Sequence, residues 1–227
     1  MNETVRQMEI VLIRHAEPDY TPCDRRGFIG QGRGLAPLTP AGRACAESYA
    51  KDPALAGCER LVSSPYTRAL ETAAIFSRAM GLSIDVEVDL HEWLVDKGFR
   101  DSTSAESVAA AQEFERCGGR YPADGVTRTW ETAAEIAARV VPVFDKYLDM
   151  GCRKIAAVSH GMVMRRFTAA VRRPIAGHIR FCTIRAIPAW CDAAGQPKKE
   201  ERAGDTSPAL LLFTGIRLHF LSASLEI

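Results

Sequence analysis

The chain has 227 residues, is 47% hydrophobic and 25% charged, and carries a formal net charge of +1. That is the composition of a globular protein able to fill its own core, which excludes a disordered chain or a disulfide-dependent miniprotein. So balanced a total gives no global electrostatic case for a nucleic acid or a membrane surface as partner, although a local cationic pocket is compatible with it.

Residues 8–13 (Met-Glu-Ile-Val-Leu-Ile) are short, mostly apolar and partly β-branched, which predicts a buried strand ending at Arg14-His15. Residues 19–37 hold four glycines and two prolines around Arg25, Arg26 and Arg33, and read as a long loop. Thr39 is a candidate N-cap with Pro40 at the first helical position, opening a helix to about Lys51. A second strand is predicted over 60–63, then a helix from Ser64-Pro65 to Met80 with Gly81 as its stop. Alternating apolar and acidic residues over 84–88 predict a third strand.

Residues 91–128 contain a helical piece (104–116) and a Gly/Pro-containing connection, and form a cap or insertion within a single domain spanning 1–227. Apolar spacing predicts a helix over 132–150 despite Pro142. A strand over 154–158 then leads into Ser159-His160-Gly161 and a helix through Val171. Residues 181–187 and 209–220 read as strands separated by an exposed loop at 192–207. Alternating strands and helices predict an α/β fold with a largely parallel sheet. Ligands of such sheets bind beyond the carboxyl ends of the strands. Arg14-His15, Ser63 to Arg68 and Ser159-His160 all fall at such ends, so neighbouring strands would bring them to one site.

Cys23, Cys45, Cys58, Cys117, Cys152, Cys182 and Cys191 are odd in number and contain no Cys-x-x-Cys pair. Reduced thiols in a cytoplasmic protein are the expectation. The first ten residues lack an apolar stretch, and the longest apolar run (209–213) falls far short of the roughly 20 residues a bilayer span requires.

Five blocks carry a resemblance. Ile13-Arg14-His15-Ala16-Glu17 resembles the Arg-His-Gly signature of the histidine phosphatase superfamily, in its phosphoglycerate mutase-like branch. Leu38-Thr39-Pro40-Ala41-Gly42 is similar to the helix start that follows it there. Ser63-Ser64-Pro65-Tyr66-Thr67-Arg68-Ala69-Leu70-Glu71-Thr72-Ala73 resembles the family's Ser-Ser-Pro-x-x-Arg-Ala block. Leu90-His91-Glu92 resembles its Leu-x-Glu motif, and Val158-Ser159-His160-Gly161 its second-histidine motif.

The resemblance implies a three-layer α/β sandwich with a largely parallel central sheet flanked by helices. It implies His15, Glu92 and His160 as catalytic residues, with Arg14, Arg68 and Thr21 binding the substrate phosphate. No cofactor or metal is implied, and no His-Glu-x-x-His ligand set is present in the sequence. Ala16 stands in place of the usual glycine, and Thr21 where mutase-type members carry an Asn. Trp93-Leu94-Val95-Asp96 departs from the run that follows the acid in mutases, which turns substrate specificity away from theirs.

The residue types suit the chemistry. A neutral imidazole attacks an anionic ester without charge repulsion and divides one hard step into two through phosphohistidine. Arginine forks complement the charge spread over a transferring phosphoryl group. Glu92 is the candidate general acid, with Asp96 and Glu17 as competitors. Arg25, Arg26 and Arg33 either bind a second anionic group or serve as a solubilising loop. His91, His178 and His219, with Trp93, Trp130 and Trp190, read as structural.

The expected activity is a metal-independent phosphomonoester hydrolase acting on a small-molecule phosphate ester or phosphorylated peptide. The alternatives are a mutase-type phosphotransferase and a catalytically silent phospho-ligand-binding protein. Neither the natural substrate nor the oligomeric state is legible in the sequence.

Overall fold

A computed structural model describes residues 7–100, 102–172 and 181–187. Its strands are β1 (Met8–Arg14), β2 (Arg60–Ser63), β3 (Ile84–Val86), β4 (Lys154–Ser159) and β5 (Phe181–Ile187). They form a five-stranded sheet in the order β3-β2-β4-β1-β5, with every neighbouring pair parallel. The helices are α1 (Thr21–Asp24), α2 (Pro40–Tyr49), α3 (Thr67–Met80), α4 (Ser104–Arg116), α5 (Ala133–Asp149) and α6 (Gly161–Arg172).

Side chains alternate across a strand, and both faces of this sheet are apolar. Ile10 and Leu12 of β1 join Ile155 and Ala157 of β4 in a core with Ile136 and Phe144 of α5 and Phe167 of α6. Val11 and Ile13 join Ala156 and Val158 in a second core with Ala46 of α2 and Phe76 of α3. Helices therefore cover both faces, and the result is the three-layer α/β sandwich that the motifs imply. Phe114 of α4 packs between Trp93 and Trp130, ring centroids 5.2 and 5.4 Å away, and extends the first core into the 91–128 segment.

Local signals set the helix ends. Thr39 caps α2, its hydroxyl accepting from the Gly42 N–H at 2.8 Å, with Pro40 at the start of the helix. Gly81 ends α3 in the left-handed conformation, φ 67°. Thr132 and Glu135 form a capping box at α5.

Gly42 has a second role, because it lies against the backbone that follows His15. A Cβ there would fall 2.6 Å from the Glu17 carbonyl oxygen and 3.0 Å from the Glu17 nitrogen. Backbone gives way poorly, so Gly42→Ala is expected to cost about 2–3 kcal/mol through overpacking. A chemical-denaturation midpoint unchanged from wild type would refute this.

The structure departs from expectation in four places. The 19–37 segment is no plain loop: it holds α1, favoured by Pro22 in its first turn, and a two-turn 3-10 helix over Gly30–Leu35. Helix α3 starts at Thr67, three residues later than expected, because Ser64 and Tyr66 turn toward the site. Strand β3 stops at Val86, and Val88–Leu90 form a 3-10 turn. Cys45 is disulfide-bonded, so the expectation of seven reduced thiols fails there. Cys23, Cys58, Cys117 and Cys152 are free thiols. The 192–207 loop, the 209–220 strand, His178, His219 and Trp190 lie outside the described residues.

Candidate active site

Because β4 lies between β1 and β2, the polar residues that end these strands become neighbours. Backbone bonds continue the sheet pairing past them. His15 donates its N–H to the Ser159 carbonyl at 3.0 Å, and Ser64 donates to the Val158 carbonyl at 2.9 Å. His15 and His160 are thereby brought to a ring-centroid separation of 5.0 Å. Helices α3 and α6 start at the same edge, adding the partial positive charge of their N-termini.

His15 is buried. Its Nδ1 lies 2.8 Å from the Ala16 carbonyl oxygen, which can only accept, so Nδ1 carries the proton. Nε2 then keeps its lone pair and accepts from Arg68 Nε at 3.2 Å. Burial, then the Arg68 charge, holds the imidazole well below its ordinary pKa of 6.5, which keeps it neutral at neutral pH.

Arg68 is buried in the first turn of α3 and reaches both rings, donating from Nη2 to His160 Nδ1 at 3.3 Å. His160 then donates from Nε2 to Ser64 Oγ at 2.8 Å. Burial, followed by its neighbours His15 and Arg68, also holds His160 well below 6.5. Arg14 crosses the start of α6, where a Cβ on Gly161 would sit 3.4 Å from Arg14 Nε. Burial lowers the Arg14 guanidinium from its ordinary value, with Glu92 acting in the opposite direction.

Of the three carboxylates considered in sequence, Glu92 is the one that faces the histidines. Its Oε2 is 3.7 Å from His160 Nδ1, and its Oε1 accepts from the Trp93 N–H at 2.8 Å. Burial pushes its carboxyl above the ordinary 4.5, while Arg68, the Trp93 N–H, Arg14 and Arg139 pull the other way. Glu17 instead accepts from the Thr39 hydroxyl at 2.7 Å. Asp96 turns into its own loop, accepting from Gly98 N–H and Arg100 Nε.

Thr21 is exposed at the start of α1, where its N–H donates to Asp19 Oδ1 at 2.9 Å. Its described bonds do not bring it to the histidines. Arg33 pairs with Asp24 and lies over the Tyr20 ring, and Arg26 folds back on the Pro22 carbonyl.

His15, Glu92 and His160 each offer a possible metal-ligand atom, all within 4.8 Å of one another. The Arg68 donors, however, bond the same histidine nitrogens, and Arg14 acts on the same carboxylate. A metal cation would have to displace fixed guanidinium charge, whereas an oxyanion would be welcomed by it.

Several supporting residues carry no signal of their own in sequence. Thr72 accepts from the Ala16 N–H at 3.0 Å and donates to the Arg68 carbonyl, linking the His15 loop to the arginine helix. Its place in the Ser-Ser-Pro block was the one available clue. Tyr66 packs edge-on against His160 at 5.2 Å and is bonded by its hydroxyl to Gln31, so the Gly30–Leu35 turn reaches the site.

The family model of the histidine phosphatase superfamily (branch 1) matches residues 10–183, which hold every block described above. The chain belongs to that superfamily. It is an enzyme of the histidine phosphatase type. Similar solved structures include a mycobacterial glucosyl-3-phosphoglycerate phosphatase in complex with inorganic phosphate, at 24% identity and TM-score 0.54, covering 73% of this chain and 79% of that one. A putative alpha-ribazole-5'-P phosphatase from Escherichia coli matches at 20% identity and TM-score 0.52, covering 73% and 79%. At these identities the structural likeness speaks for the fold. No match was found among curated proteins compared by sequence. No helix among the described residues is long and apolar enough to cross a membrane.

Proposed function

We propose that the protein is a metal-independent phosphomonoester hydrolase that passes the phosphoryl group through His15 Nε2. The observation that carries this reading is the fixed tautomer of His15: Nδ1–H is committed to the Ala16 carbonyl, and the Nε2 lone pair faces the Arg68 guanidinium. An oxyanion drawn to Arg14 and Arg68 would sit against that lone pair, and His160 would donate to it from Nδ1 in its other tautomer, with Nε2 accepting from the Ser64 hydroxyl. Nε2 attacks phosphorus as the P–O bond to the leaving group breaks, and the departing alkoxide takes the proton of Glu92. Glu92, now a carboxylate, removes a proton from water, whose oxygen attacks phosphorus as the P–N bond breaks. Phosphate leaves, His15 is neutral again, and Glu92 has regained its proton.

The guanidinium donors are fixed before substrate arrives, so they stabilise charge on the transferring group without reorganising. Small phosphate esters are the proposed substrates, in keeping with the names of the similar structures. Thr21 is proposed to reach the phosphate only if the 19–37 segment moves inward. A cytoplasmic site of action is proposed from the sequence, and the Cys45 disulfide counts against it.

Rapid quenching with a radiolabelled phosphomonoester tests the covalent step. The expected result is acid-labile, base-stable label that maps to His15. Multiple turnover with no trapped label under quench conditions that preserve phosphohistidine would overturn it.

A further inference from the structure

Glu92 sits on irregular backbone between the Val88–Leu90 turn and Trp93, not on a helix or strand. A group that must meet a leaving oxygen within hydrogen-bond reach needs that backbone held. The holding groups come largely from α5 and the residue just before its cap. Arg139 Nη1 donates to the carbonyl oxygens of Asp89 and, at 3.0 Å, of His91. Its Nε and Nη2 form a fork on the Glu131 carboxylate at 2.6 and 2.9 Å. Glu131 then holds the other flank. Its Oε2 accepts from the Leu94 N–H at 3.3 Å, its backbone carbonyl accepts from Trp93 Nε1 at 2.7 Å, and its N–H donates to the Leu94 carbonyl at 2.8 Å. Ser159 Oγ donates to the Leu90 carbonyl at 3.0 Å, which ties the same stretch to β4.

Both flanks of Glu92 are therefore fastened to one ion pair, whose side chains are only 12% and 5% exposed. A buried ion pair is a poor device for stability alone, since apolar residues of similar shape often serve as well. Directional forks and a fixed charge are what it supplies and an apolar pair does not. That charge reaches the site: Arg139 acts on Glu92, His160, His91 and Tyr66. Among the described residues, the other charged or titratable groups facing Glu92 are Arg68 from α3, Arg14 from β1, His15 just after β1, Tyr66 before α3 and His160 at the start of α6.

We propose that Arg139, locked by Glu131, is a positioning residue that aims the Glu92 carboxyl at the leaving oxygen and sets the charge that carboxyl faces. This rests on the reading of Glu92 as proton donor. The arrangement accounts for a carboxyl that is oriented for transfer without touching either arginine of the phosphate pocket through a described hydrogen bond.

The test compares an alkyl phosphate, whose leaving group needs a proton, with p-nitrophenyl phosphate, whose leaving group does not. The variants are Arg139→Lys, Arg139→Met and the double change Arg139→Met with Glu131→Gln, which leaves no buried charge stranded. For Arg139→Met and the double variant, kcat/KM on the alkyl ester is expected to fall about 10- to 100-fold, as for a misplacement of the acid by a fraction of an ångström to an ångström. On the nitrophenyl ester the loss is expected to stay under about fivefold. Removing the cation raises the Glu92 pKa, so the alkaline limb of the alkyl-ester profile moves to higher pH. Arg139→Lys keeps the charge but not the fork, and is expected to lose rate with the limb in place.

Equal losses on both esters with an unmoved limb, in a double variant that melts cooperatively, would overturn the proposal. Glu92→Gln is the reference that separates the two readings. If it loses both esters equally, the proton-donor reading fails and this inference falls with it. If it discriminates between esters while the Arg139 variants do not, the positioning inference alone fails.

Discussion

Replacing His15 with alanine is expected to lower kcat/KM for a phosphomonoester by about four to six orders of magnitude, as the loss of a covalent nucleophile does elsewhere. Inorganic phosphate affinity is expected to stay within about tenfold of wild type, because the charged donors to the anion, Arg14 and Arg68, remain. The contrast follows from the geometry. His15 is fixed by its own Nδ1–H on the Ala16 carbonyl, and Ala16 by the Thr72 hydroxyl, so the ring contributes an aimed lone pair more than binding energy. The Arg68 fork gives up one neutral acceptor in the variant but keeps His160 Nδ1. Steady-state kinetics and phosphate titration by calorimetry measure the two quantities separately. Retention of turnover within tenfold of wild type would remove His15 as the nucleophile, and turnover lost together with phosphate affinity would make its role one of binding.

The fold and the clustering of Arg14, His15, Arg68 and His160 were legible because their signals are local. Residues 8–13 carry a buried strand in their composition, Thr39-Pro40 writes a helix start, and Arg14-His15, Arg68 and His160 stand in recognisable blocks at strand ends. Parallel pairing then did the rest, since β4 between β1 and β2 leaves those ends no other place to go.

What the sequence could not supply depends on side chains that meet across large separations. Ser64 bonds His160 across 96 positions, and Thr72 bonds Ala16 across 56. The choice among Glu17, Glu92 and Asp96 was open for the same reason: each is an acid near a predicted strand end. Only their partners distinguish them, a Thr39 hydroxyl for Glu17 and a local turn for Asp96. The glycine-rich composition of 19–37 concealed the pair between Arg33 and Asp24, nine residues apart, that organises its turns. Arg139 and Glu131 gave no signal either, since a charged residue on a predicted helix or just before it reads as a solvated face until the partner is seen.

Glu92→Gln is the second large effect expected, and its dependence on leaving group and pH makes it diagnostic. Glutamine keeps the shape and still accepts from the Trp93 N–H, but it has no proton of the needed acidity to give. For an alkyl phosphate, kcat/KM is expected to fall by about 10²–10⁴, the usual contribution of a positioned general acid. For p-nitrophenyl phosphate, whose leaving group departs as a stable anion, the fall should be under about tenfold.

The sign of the pH dependence follows from the two shifted groups. His15 must be neutral and lies well below 6.5, so wild-type kcat/KM falls on the acid side with a midpoint below that value. Glu92 must be protonated and lies above 4.5, so activity falls again on the alkaline side with a midpoint above that value. Activity is therefore expected to fall on both sides, with an acid limb that belongs to His15 and an alkaline limb that belongs to Glu92. In Glu92→Gln the alkaline limb should vanish for the alkyl ester while the acid limb, which belongs to His15, stays in place. The variant also lacks the base for the second step. With the nitrophenyl ester it should therefore release a burst of nitrophenol matching the enzyme present, followed by slow turnover as phosphohistidine waits for water. An alkaline limb that survives the substitution, or the absence of a burst, would assign the proton transfer to another group.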